Sequence, residues 1–261
     1  MRGDEAEKGK GRMSRRRLIA GFGALAVGTL APRRLGRADR DRALEEAEIV
    51  GRLTGMRNFY DGYRAKVKVP GMLGGRWIVH VRTMHKDLRH MTSDMTKEVA
   101  AAEYALRPLR EALARANKLD GIYLEAQTTD AKAPEGAIVK YVFAAEEPEP
   151  HRRGVEAALR KREIHELRRD GRISHAEWQR LRERAEQEQY DERDRIAVGK
   201  VHARDLQRES EGLPVGVSVI EFGGEHDFTR AVEELDERLP EDKRYGLIEM
   251  WSKDLNRERR Y

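Results

Sequence analysis

Cysteine is absent from all 261 residues. That excludes disulfides, iron–sulfur clusters, cysteine-ligated zinc, cysteine nucleophiles and a lipid-modified cysteine. Aromatic residues are scarce, at 6%, and apolar residues reach only 39%, against roughly 45–50% in an average soluble domain. A modest core with long solvent-facing helices is expected. There is no glycine-rich phosphate loop, no dinucleotide fingerprint and no Gly-x-Ser-x-Gly elbow. Nor is there a run of about 20 apolar residues, the length a bilayer demands, so no stable transmembrane span is expected.

Charge is abundant instead, at 38% of the chain, with 52 basic and 47 acidic residues. The basic surplus is unevenly placed. Residues 1–38 hold ten basic and three acidic side chains, whereas residues 39–261 hold 42 and 44. The body is therefore nearly balanced. A balanced body argues against nucleic acid as its partner and leaves a basic amino-terminal arm as the way this chain could grip a polyanion.

The basic start runs into a short apolar stretch, Leu18 to Ala31, weakened by Gly21, Gly23 and Gly28. Small residues follow at Gly36 and Ala38. A basic start, a short apolar core and a small-residue cleavage site make an export signal. Ser14, Arg15, Arg16, Leu18 and Ile19 resemble the twin-arginine signal pattern, and Arg33, Arg34 and Arg37 suit its basic end. The resemblance covers residues 1–38. It implies a twin-arginine translocase partner, export to the periplasm or beyond, and cleavage after Ala38. Met13 offers a second start, because Met13-Ser-Arg-Arg-Arg begins a compact signal unaided.

The body divides into 39–150, 151–210 and 211–261. Residues 39–53 read as a charged helix, 76–82 as a strand and 86–118 as a long helix, with a kink or restart at Pro108. Residues 122–127 and 137–143 read as two strands close enough for an antiparallel hairpin. Residues 151–210 read as a charged helical hairpin. Asp170-Gly171 marks its turn, and Ser174 with Glu177 forms a capping box flanked by Ile173 and Trp178. Residues 215–222, 228–239 and 247–251 read as strand, helix and strand, a parallel crossover. The class is α+β. The order suits a ferredoxin-like, split βαβ sandwich enlarged by the charged hairpin and extended by a C-terminal βαβ segment.

Leu167, Gly171, Ile173, Ser174 and Glu177 are also similar to short helical-hairpin modules found at the ends of many bacterial proteins, with Trp178 where those carry phenylalanine. That resemblance implies oligomerisation or docking through 151–210.

Candidate chemistry centres on histidine. Gly223-Gly224-Glu225-His226-Asp227 lies between a strand and a helix, where open sheets carry binding residues. His226 with Asp227 or Glu225 could act as acid or base, although Asp227 could equally cap the helix. His80, His85 and His90 are spaced by five, which a single helix face does not accommodate, so metal ligation would need the turn between strand and helix to gather them. His80, His226 and Asp227 are therefore the catalytic candidates, and no metal site is expected. The leading expectation is an exported binding protein of the cell envelope. An exported hydrolase using His226 and Asp227, or a nucleic-acid binder with a basic amino-terminal arm, would be the alternatives.

Overall fold

A computed structural model describes residues 37–72, 74–83, 93–223 and 225–253. Residues 1–36 of the expected export signal, with Arg15, Arg16 and Leu18, lie outside these residues, as do His85 and His90. Ala38 falls in the first turn of α1 (Arg37–Thr54). The chain continues through α2 (Phe59–Gly62), β1 (Tyr63–Val69), β2 (Arg76–Thr83), α3 (Ser93–Asn117), β3 (Gly121–Leu124), β4 (Ala131–Lys132) and β5 (Tyr141–Ala144). It ends with α4 (Pro148–Arg169), α5 (His175–Ser210), β6 (Val217–Gly223), α6 (Thr229–Asp236) and β7 (Tyr245–Ser252).

The class is α+β. All seven strands join one sheet in the order β1-β7-β2-β6-β3-β5-β4. The five central strands run parallel, and β1 and β4 close the edges antiparallel. The charged hairpin is α4 and α5. Strands β6 and β7 both run parallel to β2, which lies between them, as a βαβ unit requires.

Three expectations change. Strands β3 and β5 were expected as an antiparallel hairpin, and a ferredoxin-like sheet would place antiparallel strands there, but they pair in parallel. The 16 residues between them exceed the dozen or so a parallel connection needs, and the short β4 takes the antiparallel place beside β5. Pro108 does not restart the helix, because α3 runs through it unbroken. Strand β1 was not anticipated. Its alternation of Tyr63, Ala65 and Val67 with Arg64, Lys66 and Lys68 fits an edge strand with one covered face.

Each sheet face buries its own cluster. Val79, Val81, Val219 and Ile248 pack against Leu106, Leu109 and Leu113 of α3 and Ile49, Val50 and Leu53 of α1. Ile78, Ile220, Phe222 and Leu247 pack against Ala197, Val198 and Val201 of α5 and Val232 of α6. Ser174 accepts a hydrogen bond from the Glu177 amide at 3.1 Å, which starts α5 where the capping box placed it.

Glycine is required where Trp77 crosses β7. A Cβ on Gly246 would lie 2.6 Å from the indole ring, and a Cβ on Gly71 2.6 Å from the Gly246 Cα. Replacement Gly246→Ala should therefore destabilise the fold by roughly 1–3 kcal/mol through overpacking. The check is a lower urea midpoint at unchanged slope.

Candidate functional site

The two strands at the middle of the sheet, β2 and β6, send their continuations to opposite faces. After β2 the chain returns as α3 against one face, and after β6 it returns as α6 against the other. Open parallel sheets carry ligands at such a divergence, outside the carboxyl ends of the strands. Sequence candidate His226 sits here, just beyond β6.

The site is an ionic network built from four elements. Glu125 follows β3, and Glu146 stands two residues past β5. Arg193 and Asp194 come from α5, and His226 from the loop after β6. The Arg193 guanidinium donates from Nη2 to Glu125 Oε1 at 2.7 Å and from Nε to Glu146 Oε1 at 2.6 Å. Glu146 is fully buried, and its other oxygen meets His151 Nδ1 and the Ala126 amide. The second oxygen of Glu125 accepts from the Gly223 amide at 2.7 Å.

His226 closes the network. Its Nδ1 lies 2.5 Å from Asp194 Oδ1 and its Nε2 3.4 Å from Glu125 Oε1. The ring is 3% exposed and packs against Phe222, Phe228 and Tyr190. Burial pushes the imidazole toward neutrality, but Asp194 and Glu125 outweigh it and raise its proton affinity above the usual histidine value. An imidazolium held by carboxylates at both nitrogens has no lone pair left for a substrate proton.

Asp227 points elsewhere. One carboxylate oxygen accepts from Lys68 Nζ at 2.8 Å, and the other from the Thr229 amide at 3.1 Å, one residue before the Phe228 N-cap position of α6. Its carboxyl is pushed up by burial and pulled further down by Lys68 and Thr229. His80, on β2, is completely buried against Phe228. Its Nε2 lies 3.4 Å from the Phe222 carbonyl and its Nδ1 3.8 Å from Glu249 Oε1. Burial raises the Glu249 carboxyl, yet His80, Lys68 and Arg82 hold it below the usual carboxylate range. The structure thus sets His80 and His226 against Phe228, each facing different carboxylates, and turns Asp227 toward Lys68.

Glu125, Glu146, Arg193 and Asp194 escaped the sequence reading. Their signal was position alone: two carboxylates just past apolar strand runs, and an Arg-Asp pair in a helix. Ala126 adds a backbone mark. Its φ of +64° lies in the left-handed region, which costs a residue with a Cβ about 1–2 kcal/mol. Its amide is thereby aimed at Glu146. Among the described residues no group of three or more His, Asp or Glu is placed to hold a metal ion. No protein family, curated protein or solved structure matches this chain.

Two outcomes follow from the network. Replacement Arg193→Met leaves the buried Glu146 and the half-buried Glu125 without their shared cation and should cost roughly 3–5 kcal/mol in chemical denaturation. Because folding raises the proton affinity of His226, its contribution is complete below about pH 6.5 and drains away as pH climbs through the higher folded-state value. Melting temperature should fall over that alkaline limb in the wild type and stay flatter in His226→Gln.

Proposed function

We propose that this is an exported binding protein that docks an acidic partner protein through the arm formed by α4 and α5. The observation that carries the reading is the charge and exposure of that arm. None of residues 158–184 is buried, and they hold nine basic and five acidic side chains. Helix α5 alone is 36 residues long, about 54 Å at 1.5 Å per residue. Its C-terminal half covers the sheet, and its N-terminal half packs along α4. Lys161 Nζ reaches Glu225 at 3.2 Å near the base of the arm. Toward the tip, Trp178 is framed by His165, His175 and Arg182.

Arg168, Arg172 and Arg180 ring the turn at Asp170-Gly171, all exposed. The acidic residues interleaved with them would be repelled by an unbroken phosphate backbone, whereas a protein surface acidic overall but carrying some cations can answer both. The twin-arginine resemblance of residues 1–38 supplies the address. The saturated surroundings of His226 support binding over hydrolysis as the task.

Cell fractionation, N-terminal sequencing and crosslinking in intact cells test the reading together. The expected result is a chain beginning at Asp39 outside the cytosol, joined to an acidic protein. That adduct should be lost in the Arg168→Glu/Arg172→Glu/Arg180→Glu variant, and export should be lost in Arg15→Lys/Arg16→Lys. An uncut chain in the cytosol or on chromosomal DNA would overturn it.

A further inference from the structure

A cavity of about 440 Å³ opens at the opposite edge of the sheet, where the central strands begin. Its size falls within the roughly 300–1,000 Å³ of small-molecule sites. The floor is the starts of β2, β3 and β6, at Trp77, Gly121 and Val217. The walls are the last turns of α1 and α3 and the C-terminal half of α5. Trp77, Tyr123 and Phe143 are among its lining residues, each nearly buried behind the cavity wall. Gly121 lets Phe143 lie against β3, since a Cβ there would sit 2.5 Å from the ring.

The cations around this cavity divide into two kinds. Arg208 is spent on Asp120 and the Pro214 carbonyl, each at 3.1 Å. Arg204 lies over the Phe143 ring, 3.7 Å from its centroid, with Asp130 at 3.7 Å. Arg52 and Lys118 line the same cavity, and among the described residues neither has a carboxylate within ion-pair distance.

Cations at helix C-termini ordinarily answer the exposed carbonyls. Here Asn117 already does so, donating from Nδ2 to the Leu53 carbonyl at 2.7 Å and the Leu113 carbonyl at 2.8 Å. Lys118 moreover holds a left-handed φ of +52°, a helix-ending position that glycine fills without strain. Deeper in the wall, Asp205 accepts from the Tyr245 hydroxyl at 2.7 Å and can accept from a ligand donor as well.

We propose that this cavity binds a small organic anion with a flat apolar body, its charge answered by Arg52 and Lys118 and its ring by the Trp77 side of the pocket. The site is separate from the arm and from the network around His226.

The test uses the full chain in a Trp178→Phe/Trp251→Phe background, where Trp77 is the remaining tryptophan and reports from the cavity wall. With 2-naphthoate as probe, saturable quenching and a matching calorimetric isotherm are expected. Neutral 2-naphthalenemethanol should bind at least about tenfold more weakly, as should naphthoate to Arg52→Glu/Lys118→Glu, because one desolvated charge contact is worth about that factor. Gly216 lines the cavity, and a Cβ there meets nothing within 4 Å. Gly216→Leu should therefore abolish binding at unchanged melting temperature. No saturable signal up to about millimolar naphthoate would overturn the proposal. So would equal affinity for the neutral alcohol, or undiminished binding by Gly216→Leu or by the double charge reversal.

Discussion

Two arginines fasten the helical layers to the sheet, one on each face. Arg193 of α5 grips Glu125 and Glu146, and Arg110 of α3 grips Glu221 at 2.7 Å and Glu103 at 2.6 Å. Glu125 stands just past the end of β3, and Glu221 lies two residues inside the end of β6. The apolar clusters supply the bulk of the driving force, but they are non-directional. The ion pairs fix where along the sheet each helix rests, because a shift of one helical residue would strand a buried carboxylate. Arg193 carries the greater consequence. It is also one link between the helix of the charged arm and the sheet, and it contacts Glu125 beside His226.

That arrangement inverts the usual use of a parallel sheet. The divergence of β2 and β6 would ordinarily be an open crevice for a ligand. Here His226, Phe228 and Phe222 pack together, and Glu125 and Asp194 are engaged by the protein's own donors. A cavity of about 270 Å³ remains beside them, lined by Tyr190, Asp194, Glu225 and Asp227, and one of about 440 Å³ opens at the amino ends of the strands, where Arg52 and Lys118 face it.

Much of the architecture could be read from residue order. Helix α5 began at Ser174 because a capping box is a local device, complete within four residues. Strand β2 was legible from its alternation, β6 from its β-branched residues and β7 from a short apolar run, for the same reason. Pairing was not legible. Whether Gly121–Leu124 and Tyr141–Ala144 meet in parallel depends on the path of the loop between them and on the left-handed Ala126, which no pattern of hydrophobicity encodes. The His226 region was found by its place between strand and helix. Its actual partner, Asp194, lies 32 residues away, and proximity in sequence favoured Asp227 instead. A histidine's neighbours in space are set by which helix covers the strand, which is a tertiary fact.

Helix α5 passes through every one of these places without a break. It begins beside the Trp178 aromatic group, carries Arg193 and Asp194 past the strand ends, and finishes with Arg204, Asp205 and Arg208 along the far cavity. The arm, the network and the cavity wall thus draw residues from one unbroken element about 54 Å long.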